Sequence, residues 1–224
     1  MSAGYTPDPT CQIPGLGKIM AERFGAKDDG IFVEVGAFDG QTCSNTSFLA
    51  DLGWRGVYVE PIPEYAVACS ERHHHNALVS VVQCAVGDGD EAVTLSVGHV
   101  LTTGDPRMAQ AYSKIDWAAG FLNGATITVP QRRLDAILAA EGIAPGFDLL
   151  VVDVEGAEES VFASFDLAAW RPSMIIVELI DAHRSFQRFP EIIESARRVR
   201  ELLVRGRYRE IYRDEINTIF WSTV

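Results

Sequence analysis

Short apolar runs that alternate with helix-patterned stretches constrain this chain more than any other feature. Ile31–Val35 is bounded by Asp28-Asp29-Gly30 before it and Gly36-Ala37-Phe38-Asp39-Gly40 after it. Apolar residues on successive positions suit a strand buried on both faces. Gly56–Glu60, ended by Pro61, repeats the form, as do Val79–Cys84, Asp148–Val152 and Ser173–Glu178. Between them the pattern predicts helices capped by Ser44 or Asn45 and running to Leu52, from about Pro63 to Arg72, at Gln131–Glu141 and at Ala157–Phe165. Such alternation predicts a doubly wound α/β fold, a parallel sheet covered on both sides and joined by right-handed crossovers. Near the end, Tyr208–Tyr212 and Asn217–Trp221 are separated by little more than Arg213-Asp214-Glu215. So short a connection permits only an antiparallel hairpin, which makes the sheet mostly parallel with an antiparallel C-terminal strand.

Two stretches stand outside this rhythm. Residues 1–16 hold Pro7, Pro9 and Pro14 with several glycines and are predicted to form an extended arm or cover. Residues 98–124 carry Met108, Tyr112, Trp117, Phe121 and Leu122 with weak periodicity, and a long segment of this kind is predicted to be a substrate loop or lid. No repeat or linker divides the chain, so residues 1–224 are expected to be one domain.

Composition narrows the function classes. With 31 acidic against 19 basic residues the net charge is −12, which argues against a nucleic-acid partner, since that requires clustered cations. Nine arginines do fall between Arg184 and Arg213, and Glu191, Glu194 and Glu201 among them favour a solvated helix face over an anion-binding patch. The four cysteines show no CxxC spacing, and no signal-like or membrane-length apolar run occurs. The expectation is a reduced, cytoplasmic protein without a transmembrane segment, its homo-oligomeric state left open. His73-His74-His75 does not predict a metal site, because three successive helical residues point in three directions.

In a sheet of this type ligands bind at the carboxyl ends of the strands, where strand order reverses. There Gly36 and Gly40 allow a tight turn and close approach of a ligand to backbone N–H groups. Glu60 ends the second strand 60 − 39 = 21 residues after Asp39, an offset suited to an acid that accepts ribose hydroxyls. A dinucleotide site needs G-x-G-x-x-G so that a helix N-terminus can approach a pyrophosphate. This loop instead places Asp39 where a pyrophosphate would be repelled. It suits a ligand with an ammonium and a sulfonium, S-adenosylmethionine, better than NAD. An NAD-dependent oxidoreductase and a non-catalytic cofactor-binding module remain the alternatives. Asp88, in Gly87-Asp88-Gly89, suits a plain turn at least as well as an adenine contact.

"FVEVGAFDG", "VYVEP", "CAVGD" and "VVDVEGAEESVF" stand in the order found in class I S-adenosylmethionine-dependent methyltransferases. From about Ile31 to Phe220 the chain resembles the FkbM family of O-methyltransferases, which implies a Rossmann-like class I fold. The resemblance implies that Glu34, Gly36, Ala37, Phe38, Asp39, Gly40 and Asn45 line the methionine part of the cofactor. It also implies that Glu60 with Pro61 binds the ribose, and that Ala85 and Val86 form the adenine wall. Asp153 is implied beside the methyl group, and Glu155 joins it as a catalytic candidate. His183 is a candidate base, since histidine as a residue type titrates near neutral pH; His99 is a weaker one. Some relatives bind magnesium, and Asp153, Glu178 and Asp181 stand where such ligands would lie, although Leu179 follows Glu178 in place of a second oxygen ligand. The implied acceptor is a small-molecule or glycan hydroxyl, such as a sugar, glycolipid or natural product.

Overall fold

The computed structural model describes residues 4–224; the first three residues of the arm lie outside the described part. In chain order the strands are β1 (Ile31–Val35), β2 (Arg55–Val59), β3 (Val79–Val82), β4 (Ala85–Val86), β5 (Val93–Ser96), β6 (Thr126–Val129), β7 (Gln131–Arg132), β8 (Leu149–Val152), β9 (Met174–Glu178), β10 (Tyr208–Arg213) and β11 (Asn217–Ser222). The helices are α1 (Leu16–Phe24), α2 (Ser47–Asp51), α3 (Pro63–His73), α4 (Pro106–Tyr112), α5 (Leu134–Ala140), α6 (Glu158–Ala163), α7 (Leu167–Trp170) and α8 (Pro190–Arg205). Seven strands form the main sheet in the order β10-β11-β9-β8-β1-β2-β3. Strands β3, β2, β1, β8 and β9 run parallel, and β11 pairs antiparallel with both β9 and β10, as the short C-terminal connection requires.

Side chains alternate across the parallel strands and divide the core in two. Val33, Val35, Leu150 and Val152 pack with Ile137 of α5, Val161 of α6 and Val199 of α8. Phe32, Leu149 and Val151 face the other way, against Met20 of α1 and Phe48 of α2. Glu34 shares that second face, one position from the carboxyl end of β1. The chain leaves β1 toward β2 and β3, then returns to place β8 on the opposite side of β1, so the strand order reverses between β1 and β8.

The structure departs from the sequence expectations in several places. The helix expected at Gln131–Glu141 begins only at Leu134, because Gln131–Arg132 pairs with β4. Past the expected arm, residues 16–24 form α1, with Leu16 and Met20 fully buried. The loop at 98–124 is framed by an antiparallel pair, β5 with β6, and contains α4. Its backbone partners lie across the loop, so local periodicity carries no trace of them. No helix among the described residues is long and apolar enough to cross a membrane.

Candidate active site

The carboxyl ends of β1, β2, β8 and β9 open into a cavity of about 1020 Å³. At the end of β1, Gly36 adopts φ +88°, and a Cβ there would lie 1.7 Å from the Asp153 carbonyl oxygen. Only glycine lets the two strand ends on either side of the reversal approach this closely. Glu34, buried, receives hydrogen bonds from the hydroxyls of Ser44 (3.1 Å) and Thr46 (2.5 Å). Ser44 Oγ in turn accepts the backbone N–H groups of Thr46 and Ser47 (both 3.1 Å), which ties the acid to the start of α2. No cation pairs with Glu34 among the described residues, and withdrawal from water pushes its carboxyl up to about 7.

Glu60 follows β2 and is also buried. Its oxygens accept the backbone N–H of Phe38 (2.8 Å) and of Ile62 (2.8 Å), so one carboxylate pins the loops after β1 and β2 together. Burial again raises it to about 7 despite those bonds. Phe38, held at φ +50°, packs its ring against Tyr65 at 4.2 Å and His99 at 4.7 Å.

The third element is a group of acids. Carboxylate oxygens of Asp153, Glu155 and Glu178 all lie within 4.8 Å of one another. Glu155 sits at φ +53° and is followed by Gly156 at φ +99°, a left-handed turn that Glu158 secures by accepting the N–H groups of Val154 (3.2 Å) and Gly156 (3.1 Å). The Tyr112 hydroxyl donates a short hydrogen bond to Glu155, and Thr103 Oγ1 donates to its carbonyl at 2.6 Å, so residues 98–124 are fastened to this turn. Loss of water raises Asp153 to about 6 and holds Glu155 and Glu178 well above the usual carboxylate range, with mutual repulsion adding to the shift on the two glutamates.

The sequence of the methyltransferase FkbM domain matches this chain over residues 34–210. The chain belongs to the FkbM methyltransferase family. No curated protein matches it. Among solved structures, it is similar to a Bacillus cereus O-methyltransferase in complex with SAH, at 15% identity and a TM-score of 0.52, covering 96% of this chain and 84% of that one. A Klebsiella pneumoniae protein described as an O-methyltransferase is similar at 13% identity and a TM-score of 0.51, over 97% and 84% of the two chains. TomG of Streptomyces achromogenes, an O-methyltransferase of tomaymycin synthesis solved with SAM, is 16% identical over 93% and 78%, at a TM-score of 0.48. The fold is the class I, Rossmann-like methyltransferase fold.

Within this FkbM-family chain, the cavity is lined by Glu34, Gly36, Ala37, Phe38, Glu60, Pro61, Ala85, Val86, Asp153, Glu155, Glu178 and His183. Asp39, Gly40, Asn45 and Asp181 do not line it. Asp39 spends its carboxylate on the N–H groups of Gln41 and Thr42 and on the Thr42 hydroxyl, so it shapes the loop. Gly40 backs onto Cys69 and His73, and its carbonyl lies 2.8 Å from His73 Nε2. Asn45 is buried beside Cys11, whose thiol reaches its Oδ1 at 3.4 Å. Asp181, expected among the metal ligands, is engaged elsewhere: Arg200 (2.7 Å) and Arg213 (3.0 Å) pair with its carboxylate, and the acids that gather are Asp153, Glu155 and Glu178. His183 lines the cavity, and its Nδ1 accepts the Ser185 N–H at 3.2 Å. Sequence reasoning missed Tyr112 as the partner of Glu155; its one signal was an aromatic residue in an irregular stretch.

Proposed function

We propose that this chain transfers the methyl group of S-adenosylmethionine to a hydroxyl oxygen of a small-molecule or glycan acceptor. One observation carries the reading: the acids Asp153, Glu155 and Glu178 gather at the reversal point of the sheet with no ion-pair partner among the described residues. Such a group suits a cationic ligand. The residues fit the cofactor in two further respects. Gly36 lets the ends of β1 and β8 close together at the cavity wall, and Glu60 keeps acceptor capacity beyond the two N–H bonds it receives. When bound, S-adenosylmethionine supplies an electrophilic methyl carbon on a sulfonium.

The work left to the chain is alignment, exclusion of water and removal of one proton. Glu60 accepts the ribose hydroxyls, Ala85 and Val86 cover the adenine, and Glu34 with the loop from Gly36 faces the methionine end. Asp153, whose carboxyl is raised to about 6, takes the acceptor proton, while Glu178, its carboxylate within 4.8 Å, shares the charge. The same three oxygen donors favour a second reading, a magnesium ion that holds and acidifies the acceptor hydroxyl. Calorimetry with S-adenosylmethionine and S-adenosylhomocysteine tests the core of the proposal, and saturable binding of both is expected. A protein that ignores both and binds NAD sinks it. Full methyl transfer in EDTA removes the magnesium reading and leaves the carboxylates as base.

A further inference from the structure

We propose that Trp117 is the platform on which the acceptor lies, and that the acceptor it receives is a ring compound bearing hydroxyls and no anionic group. This rests on the methyl-transfer reading above. The cavity, at about 1020 Å³, reaches the upper end of the ~300–1,000 Å³ that a single small ligand occupies, so it has room for an acceptor beside a cofactor. Trp117 lines it and is 49% exposed, whereas Trp54 is fully buried and Trp170 and Trp221 are half-buried. Phe121, 42% exposed, lines the cavity as well, so the exposed apolar surface here belongs to two aromatic side chains rather than one.

The ring is also held in place. Its Nε1 donates to Ser185 Oγ at 3.2 Å, and its neighbours are Tyr112 at 6.3 Å and His183 at 6.1 Å. Tyr112 is the residue bonded to Glu155, so the indole stands one side chain away from the acid group. A fixed indole presents a flat apolar face of the kind on which the C–H face of a saturated ring stacks.

Charge sets the second half of the inference. Among the described residues, Arg107 is the one lysine or arginine lining the cavity, and its guanidinium is paired with the buried Asp105, through Nε at 3.0 Å to each oxygen and Nη2 at 2.6 Å. Glu34, Glu60, Asp153, Glu155 and Glu178 all line it. Apart from the imidazoles of His99 and His183, a carboxylate or phosphate on the acceptor would find no basic side chain without an acidic partner, and it would lie among carboxyl groups.

The test uses the full chain saturated with S-adenosylhomocysteine, whose affinity is measured first, so that failure of the cofactor reading is seen by itself. Methyl glucoside, its 2-amino analogue and methyl glucuronide are then titrated against it by saturation-transfer NMR. The neutral and amino sugars are expected to bind at least tenfold tighter than the glucuronide. Trp117→Ala is expected to lose at least tenfold in affinity for those two sugars, Trp117→Phe to keep most of it, and neither to change the affinity for S-adenosylhomocysteine. Glucuronide binding as well as the neutral sugar, unchanged sugar binding in Trp117→Ala, or no binding of any of the three overturns the proposal; the first and last need no variant.

Discussion

Gly36 and Glu60 do at the scale of single residues what the rest of the site depends on. The Asp153 carbonyl lies where a Cβ on Gly36 would go, and it belongs to backbone held by a parallel ladder, so neither partner can give way. Gly36→Ala is therefore expected to cost about 3 kcal/mol or more, strained by its positive φ as well as by the clash, and urea denaturation reads it directly. An unaltered midpoint would mean that β1 and β8 do not converge as described. Glu60 is the opposite case, a side chain whose fit matters more than its bulk. Glu60→Gln keeps the shape but weakens bonds made to a charged group, each worth roughly 1.5–3 kcal/mol. Its affinity for S-adenosylhomocysteine is expected to fall about tenfold or more with an unchanged circular-dichroism spectrum. Retained affinity would take the ribose role away from Glu60.

Among elements, the turn after β8 and the segment that carries α4 act together. The Tyr112 hydroxyl and Thr103 Oγ1 both reach Glu155, and no other side-chain hydrogen bond joins 98–124 to that turn among the described residues. Tyr112→Phe removes one link and leaves a buried acid short of a donor, at an expected cost of about 1–3 kcal/mol. Hydrogen exchange across residues 98–124 should quicken while the sheet stays protected; equal exchange in variant and wild type would show that the segment is held by its apolar contacts alone. α8 resolves the question of the arginines. Arg198 pairs with Glu159, Arg200 with Asp181 and Glu210, and Arg205 with Glu201, so much of the run is engaged with acids of the same chain.

Taken whole, the molecule buries acids whose carboxyls are raised above their ordinary range. Glu34 and Glu60 each move from an ordinary 4.5 up to about 7 through burial. A carboxyl with a raised folded-state value binds more protons folded than unfolded between those limits, so its contribution to stability is complete below about 4.5 and is lost as pH rises through 7. The loss is on the order of 3 kcal/mol for each group. Glu34→Gln cannot suffer it, so the Tm difference between this variant and wild type should swing toward the variant from pH 5 to pH 8. A difference that stays constant with pH would mean Glu34 is ionised throughout.

Much of this was legible in the chain before any fold was drawn. Apolar runs ending in Gly36, in Glu60 and at Asp153 specify strands, their direction and an acid-lined reversal point, because strand burial and loop chemistry are written in neighbouring residues. The hairpin of β10 and β11 follows from the shortness of its connection in the same way. Pairings between distant segments left no such mark: β5 with β6, β4 with β7, and Asp181 with Arg200 and Arg213 rather than with Glu178. The sequence by itself determined which residue types would meet at the carboxyl ends of the sheet. Only tertiary structure decided that Asp39 caps a loop, that Glu155 replaces Asp181 among the gathered acids and that Tyr112 reaches across to hold it, since these depend on distances closed by the packing of segments far apart in the chain.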